Sequence, residues 1–345
     1  MVVNENRTPL QQSSEQDRRT LHPVARLLLE RQKANSQPNS RTDGRIVALA
    51  IEGGGMRGVV SAGMVGALEQ LGLLNSFDVV YGASAGAISA AYFVARQARY
   101  GTTIFYDNIN NRHFIDLRRI FTNAPVLSLE FLLDHVCKTE KPLAVERVLQ
   151  SPIPLRVLSA SISKLSSVTM RNFTDERSLF DALRGSARIP FFAGPPVEYL
   201  GDRLLDAALY QSIPFKAAVA DGATDVVVLL TRPAGVLRPR PNLVDRFLVA
   251  PYLGRLAKDL TSHYLGRAEQ YQQELHDIQS HDSRTEGLCS MLIQIEGSDA
   301  EVGPFETARN KLVRGAMDGN RAVYKALDMA VPQFVETIMP YPRSV

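Results

Sequence analysis

Blocks of apolar and polar residues alternate from residue 45 onward and predict an α/β chain. The continuous apolar run at 46–51 is typical of a central parallel strand. After a glycine-rich loop, apolar residues recur at helical spacing at Val60, Met64 and Leu68. A second short apolar strand at 79–81 leads into another helix of small residues. This order of strand, helix, strand and helix predicts a parallel sheet with a ligand site at the carboxyl ends of its strands.

The second half of the chain predicts further strands and a long helical region. Residues 155–163 and 167–173 alternate like a hairpin at a sheet edge. The other predicted elements are a helix near 178–185, a short strand at 203–205, core strands at 226–230 and 291–295, a helical region at 244–278 interrupted by Pro251, and a closing helix at 306–329. The pattern contains no internal repeat and no second core. We therefore interpret residues 45–345 as one domain.

Residues 1–44 differ from this domain in composition. Gln, Ser, Asn, Arg and Glu dominate them, and only the stretch from Leu21 to Arg31 has an amphipathic pattern. Such a polar segment buries too little apolar surface to fold by itself. We expect a mobile N-terminal tail that carries one short amphipathic helix.

Composition narrows the classes of partner. The 345 residues are 45% hydrophobic and carry a formal net charge of +3. Such mild basicity suits an anionic lipid surface and is too weak to indicate nucleic acid. No apolar run reaches the roughly 20 residues that span a bilayer, and the start lacks a secretory signal pattern. The two cysteines, Cys137 and Cys289, have neither metal-ligand nor disulfide spacing. We expect a cytoplasmic protein that is peripheral at a membrane.

A single serine stands on the predicted turn between the second strand and its helix. The five residues there are Gly82, Ala83, Ser84, Ala85 and Gly86, which form the G-x-S-x-G nucleophile elbow. The elbow needs glycine at both flanks because the serine backbone is strained and its neighbours approach closely. Tight packing between a strand and a helix is the alternative use of such small residues. Ser84 is therefore the candidate nucleophile.

The glycine-rich loop after the first strand has two interpretations. Gly53 to Gly58 fits the G-x-G-x-x-G dinucleotide fingerprint, yet a run of glycines also lets backbone N–H groups approach a substrate carbonyl as an oxyanion hole. A dinucleotide site needs an acidic residue at the end of the next strand. The serine elbow occupies that place. The pair of loops therefore favours an acyl-transfer site.

A serine nucleophile also needs a base. Asp206 follows the short strand at 203–205 and is expected at the same edge of the sheet. A carboxylate with its usual pKa of about 4 is a weak base unless burial raises that pKa. The alternative for Asp206 is an Asx-turn. His263 would complete the Ser, Asp, His order of α/β-hydrolases, although its surroundings indicate a helix.

Together these motifs resemble the patatin-like phospholipases. The resemblance rests on E-G-G-G-M-R-G at 52–58, G-A-S-A-G at 82–86, and Asp206 with a proline eight residues later. It implies a three-layer α/β/α sandwich with a mostly parallel central sheet. It also implies hydrolysis of acyl esters of phospholipids or related lipids by a Ser84–Asp206 dyad, with no cofactor and no metal. The implied oxyanion loop consists of Gly53, Gly54, Gly55, Met56, Arg57 and Gly58.

The sequence departs from the family pattern around the aspartate. Ala207 and Ala208 replace two glycines, Ser212 replaces an asparagine, and Arg188 replaces a small residue. If the loop required a positive φ, each alanine would cost roughly 1 kcal/mol. A catalytically weak protein that binds lipid or a partner is therefore the alternative to an active hydrolase.

The stretch from Arg232 to Tyr271 combines basic and large apolar residues. Its members include Arg232, Arg238, Arg240, Arg246, Arg255 and Lys258 beside Leu237, Leu243, Phe247, Leu248, Tyr252 and Leu253. This combination suits an anionic bilayer surface. A solvated helix packed on the core is the alternative. We expect part of a lipid-facing rim here.

Overall fold

Eight strands form one mixed sheet in the computed structural model, which describes residues 21–122, 124–282, 287–297 and 301–332. The strands are β1 Val47–Ile51, β2 Val79–Ala83, β3 Leu155–Ser161, β4 Ser166–Met170, β5 Val197–Tyr199, β6 Asp202–Leu205, β7 Asp225–Leu229 and β8 Cys289–Ile293. Their order across the sheet is β5-β6-β3-β2-β1-β7-β8, and β4 pairs with β3. The pairs from β3 through β2, β1 and β7 to β8 are parallel, whereas β4, β5 and β6 join antiparallel.

Helices connect most of these strands. They are α1 Pro23–Lys33, α2 Val59–Gln70, α3 Ala85–Val94, α4 Ala98–Thr102, α5 Val145–Leu149, α6 Glu176–Ser186, α7 Phe215–Ala220, α8 Ala250–Leu256, α9 Leu260–Leu265, α10 Arg267–Gln279 and α11 Arg309–Ala326. Short 3-10 turns occur at Gly55–Gly58, Leu74–Ser76, Leu117–Phe121 and Ala207–Leu209, and π-helical segments at Ile104–Asn108, Phe131–Glu140 and Asp245–Val249.

Residues that alternate along the strands point into two separate cores. On one side of β1, Val47, Leu49 and Ile51 pack into the core that contains α2, α3 and α11. On the other side, Ala48 and Ala50 pack into the core that contains α7 and α10. Strand residues that point to alternate faces of a parallel sheet require helices on both faces. The predicted three-layer α/β/α sandwich with a mostly parallel sheet is confirmed.

The predicted break in the 244–278 region is wrong in position. Pro251 is the second residue of α8, which continues directly from the π-helical turn Asp245–Val249, so the proline does not interrupt this helical stretch. The chain instead leaves helical geometry at Ala257, whose φ of −162° and ψ of 137° are extended, and again at Gly266. The region is therefore one π-helical turn followed by three separate helices.

Residues 21–44 are held against the sheet. Val24 and Leu28 of α1 are fully buried, and the guanidinium of Arg31 donates to Asp43 and Asp78, each at 2.8 Å. Residues 1–20 of the predicted mobile tail lie outside the described residues, and the domain boundary at residue 45 stays a prediction. Within the described residues, no helix combines the length and apolar character that crossing a bilayer requires.

Candidate active site

The ends of β2 and β6, which lie on either side of β3, carry Ser84 and Asp206. β2 runs parallel to β3, and its last pair joins Ala83 to Leu158. β6 runs antiparallel to the same strand, and its last pair joins Leu205 to Ala160. One residue further in each register, both chains reach the level of Ser159, which lies between Leu158 and Ala160. The sheet itself therefore brings Ser84 and Asp206 together.

The backbone of Ser84 has the strained geometry of an elbow. Its φ of 54° and ψ of −127° lie in a region that residues with a side chain rarely adopt, and its side chain is nearly buried. It immediately precedes α3, whose positive dipole end faces the site. The Ser84 N–H donates to Ser186 Oγ at 2.8 Å. Ser186 is the last residue of α6, and sequence reasoning gave it no role.

Close approach explains the glycines on both loops. A Cβ on Gly82 would lie 2.7 Å from the nitrogen of Ala87, and one on Gly86 would lie 2.7 Å from the carbonyl oxygen of Glu52. A Cβ on Gly53 would lie 2.7 Å from the Cβ of Ser84. These distances are too short for any side chain. The glycine-rich loop and the elbow therefore pack directly on each other.

Asp206 is buried and only partly satisfied. Its Oδ1 accepts the N–H of Ala208 at 2.9 Å, and its own N–H donates to the carbonyl oxygen of Arg188 at 2.9 Å. Its Oδ2 has no hydrogen-bond partner among the described residues. Burial raises the pKa of Asp206, while the Ser84 hydroxyl, the Ala208 N–H and the charge of Arg238 oppose that rise. A carboxylate in such a place is a stronger base than an exposed one.

The alanines after Asp206 fit the loop without strain. Ala207 and Ala208 belong to the 3-10 turn that Asp206 caps, and neither has a positive φ. The cost of roughly 1 kcal/mol that a positive φ would impose on each alanine therefore does not apply. Arg188 contributes its backbone to Asp206 and directs its side chain toward Glu130, 3.4 Å away.

The glycine-rich loop offers fewer free donors than the motif suggested. The N–H of Met56 donates to the carbonyl oxygen of Pro304 at 3.0 Å, and that of Arg57 donates to the carbonyl oxygen of Gly54 at 3.2 Å. The N–H groups of Gly54 and Gly55 have no acceptor among the described residues. Both glycines have positive φ, of 156° and 61°. They are the loop residues that can serve an oxyanion, whereas Gly53 and Gly58 serve close packing.

The buried carboxylate of Glu52 fixes the start of this loop through Thr231. Glu52 Oε2 accepts the backbone N–H of Thr231 at 2.6 Å, and the Thr231 hydroxyl lies 2.9 Å from the same oxygen and 3.1 Å from the carbonyl oxygen of Gly53. The two residues are 179 positions apart, so no local pattern indicates their contact. Thr231 thus ties the end of β7 to the start of the loop.

Cavities of different character flank Ser84. The first is apolar and is lined by Ile88, Ile104, Phe105, Leu129 and Leu132, among others. The second is a cleft with charged residues in its walls; it contains Asp206, Ser212 and five arginines, which are Arg57, Arg232, Arg238, Arg240 and Arg267. Ser84, Gly55 and Ile189 line both. A carbonyl carbon at Ser84 can therefore place one substituent in each cavity.

None of the six histidines lines either cavity. His263 lies in α9 with its ring against Tyr210, at 4.8 Å between ring centroids, and its side chain is exposed. The structure therefore does not bring His263 to Ser84. In the described parts of the chain, no group of three or more His, Cys, Asp or Glu side chains has an arrangement that fits a metal ion.

The segment predicted as a rim divides into buried and exposed parts. Leu243 and Phe247 are each 71% exposed, whereas Leu253 is fully buried. Arg232 is buried, and Arg238 donates to Ser212 Oγ at 2.7 Å inside the cleft. These two arginines therefore belong to the cleft and not to an outer surface.

Comparisons with known proteins give one family match and several similarities to individual proteins. Residues 49–219 match the family model described as patatin-like phospholipase. Uncharacterized protein YjjU of Escherichia coli (strain K12) is 28% identical over 189 residues, which are 54% of this chain and 52% of YjjU, so the match spans about half the length of that relative. VipD from Legionella pneumophila aligns with a TM-score of 0.44 and 12% identity, over 86% of this chain and 72% of its own. Human GIVD cytosolic phospholipase A2 in complex with methyl gamma-linolenyl fluorophosphonate aligns with a TM-score of 0.42 and 12% identity, over 94% and 64%.

Proposed function

Because the chain belongs to the patatin-like phospholipase family, which is a family of lipid hydrolases, we propose that it is a serine lipid acyl hydrolase. Its substrates are carboxylic esters of phospholipids or related acyl lipids. Ser84 is the nucleophile and Asp206 the general base. The observation that carries this proposal is the placement of the two residues at the ends of β2 and β6, at the same level on either side of β3.

The reaction begins with proton transfer from the Ser84 hydroxyl to Asp206. Ser84 Oγ attacks the ester carbonyl, and the negative charge that forms on the carbonyl oxygen is met by the N–H groups of Gly54 and Gly55 and by the α3 dipole. Collapse of this intermediate expels the alcohol, which takes the proton from Asp206. Water then attacks the acyl-enzyme with Asp206 again as the base. Collapse of the second intermediate breaks the bond to Ser84 Oγ, which takes the proton back from Asp206 as the acid leaves.

The apolar cavity is the proposed acyl-chain site. Its walls come from α3 and the irregular segment between 104 and 132, and most of its lining side chains are aliphatic or aromatic. Each methylene group that moves there from water contributes about 0.8 kcal/mol. Part of the energy that positions the ester at Ser84 therefore comes from the chain.

Turnover of a p-nitrophenyl ester tests the assignment of both residues. Ser84→Ala and Asp206→Asn should each lower kcat by several powers of ten without unfolding the protein, because neither substitution opens a core cavity. His263→Ala is the matched control and should keep kcat near that of the unsubstituted protein. Normal turnover by Ser84→Ala would refute the nucleophile, and a matching loss in His263→Ala would replace the dyad with a triad.

An exposed apolar surface beside the cleft is the proposed membrane contact, which we call the rim. Its members are Leu237, Leu243, Val244, Phe247 and Leu248, with exposures of 59, 71, 38, 71 and 40%. Val244 also lines the cleft, and the exposed Arg240 and Arg246 lie in the same stretch. Apolar side chains beside cations favour an anionic bilayer.

Liposome flotation tests the rim. The double variant Leu243→Ser and Phe247→Ser should lose binding to anionic liposomes and keep turnover of a soluble ester. Leu200→Ser is the matched control, since Leu200 is 92% exposed at the turn between β5 and β6, at the opposite end of β6 from Asp206. Equal flotation of the double variant and the unsubstituted protein would eliminate the rim.

A further inference from the structure

More arginines than carboxylates line the cleft beside Ser84. Its five arginines face three lining carboxylates, which are Glu52, Asp206 and Asp245. Outside the lining, Glu301 lies 3.7 Å from Arg57 and 3.8 Å from Arg232, and Glu269 lies 3.9 Å from Arg240. Asp245 accepts from Arg267 at 2.8 Å and from the Tyr264 hydroxyl at 2.6 Å. Glu52 and Asp206 accept from Thr231 and Ala208. Among the described residues, Arg232 and Arg238 therefore have no carboxylate at hydrogen-bond distance.

Arg232 is the more deeply buried of the two. It is 8% exposed, and its Nε and Nη1 have no hydrogen-bond partner among the described residues. The nearest carboxylate oxygen, Glu301 Oε1, is 3.8 Å from Nη1, and the Glu301 side chain is 41% exposed. The ring of Tyr271 lies 5.6 Å from the guanidinium carbon. A buried guanidinium with free donors is costly unless an anion or a set of acceptors meets it.

Arg238 projects into the same cleft from the loop after β7. Its Nη1 donates to Ser212 Oγ at 2.7 Å, which directs the guanidinium toward the segment that follows Asp206. Burial and the positive charges of Arg267 and Arg232 lower the pKa of Arg238 to about 10. The arginines thus repel one another, and an anion between them would relieve that repulsion.

We propose that Arg232 and Arg238 bind the phosphate group of an acyl lipid whose ester lies at Ser84 and whose chain enters the apolar cavity. The acyl-lipid part of this inference rests on the proposed function. Guanidinium groups donate to phosphate oxygens in paired, directional bonds that neutral lipids cannot accept in the same way. The two arginines therefore select phosphate-bearing acyl lipids over neutral ones.

Two lipids that differ only in the phosphate test this selection. We would measure kcat/KM for dihexanoyl phosphatidic acid and for dihexanoylglycerol with the unsubstituted protein, Arg232→Gln and Arg238→Gln. In both variants the ratio of the first value to the second should fall about tenfold or more, chiefly through KM of the phosphate-bearing lipid. Arg255→Gln is the matched control, because Arg255 is exposed on α8 and lines neither cavity. An unchanged ratio in Arg238→Gln would overturn the proposal.

Calorimetric binding separates this inference from catalysis. Ser84→Ala should bind phosphatidic acid more tightly than dihexanoylglycerol, and adding Arg238→Gln should remove the difference. If the unsubstituted protein hydrolyses neither lipid, the proposed function fails, and this binding difference still decides the phosphate site. Inorganic phosphate that binds as tightly as phosphatidic acid would make the cleft a free-phosphate site and overturn the lipid assignment. If Arg232→Gln does not fold, the decision rests on Arg238→Gln, whose side chain is only half-buried.

Discussion

Replacing Ser186 with alanine removes the acceptor that holds the backbone of the nucleophile. Ser186 Oγ accepts the Ser84 N–H at 2.8 Å, and both residues are buried. A buried N–H left without an acceptor costs about 1–3 kcal/mol. The positive φ of Ser84 stores about 1–3 kcal/mol of strain, so the Ser84 backbone is expected to relax toward an unstrained conformation once this hydrogen bond is lost. If restoring the elbow costs about 1–2 kcal/mol, kcat falls roughly 5- to 30-fold.

Urea unfolding and ester turnover measure the two effects separately. Ser186→Ala should lose both stability and kcat. Ser290→Ala is the matched control: its Oγ is buried and donates to the carbonyl oxygen of Ile278 at 2.6 Å, but it lies in β8 at the far edge of the sheet. The control should lose stability and keep kcat. A Ser186→Ala protein with the kcat of the unsubstituted protein would show that the elbow does not depend on this bond.

Three further substitutions probe the base, the loop and the acyl cavity. Asp206→Asn should unfold at a higher urea concentration than the unsubstituted protein at pH 7, because the raised pKa of Asp206 means that its ionised form opposes folding. This gain in stability should vanish at pH 3, where Asp206 is protonated. Lower stability of the variant at pH 7 would contradict the raised pKa. Gly55→Ala should lose about 1–2 kcal/mol of stability and much of kcat, since the φ of Gly55 is 61° and a Cβ there would lie 2.6 Å from the Pro304 carbonyl oxygen. Gly66→Ala is the control: a Cβ there would have no atom nearer than 3.7 Å, so this variant should not be less stable than the unsubstituted protein. Ile88→Phe should lower kcat/KM for an octanoate ester about fourfold relative to an acetate ester, since the larger ring takes the space of about one methylene group in the cavity, and an unchanged ratio would place the acyl chain elsewhere.

The local parts of the site could be predicted from the sequence. Gly82 before Ser84 indicates an elbow because it closely approaches Ala87, which lies only a few residues further along the chain. β1, the loop after it and α2 follow equally from an apolar run, glycines and helical periodicity. These elements depend on neighbours in sequence, which is what a pattern can represent.

The non-local parts could not be predicted. Thr231 reaches Glu52 across 179 positions, and Arg238 reaches Ser212 from a segment that looked like an outer surface. The sequence places Arg232 and Arg238 beside exposed apolar residues, but the loop after β7 folds them into the cleft. Likewise, the sequence places Ser84 and Asp206 at one edge of the sheet, but no local pattern specifies the antiparallel pairing of β6 with β3 on which their position depends.

Mapping a covalent adduct tests the central claim most directly. A fluorophosphonate reacts with a serine only where that serine is activated, so intact-protein and peptide mass spectrometry after labelling identifies the nucleophile. We expect one adduct on the peptide that contains Ser84, formed at a rate that falls by several powers of ten in Asp206→Asn and remains unchanged in His263→Ala. An adduct on another serine, or labelling of Ser84 at full rate in Asp206→Asn, would contradict the Ser84–Asp206 dyad.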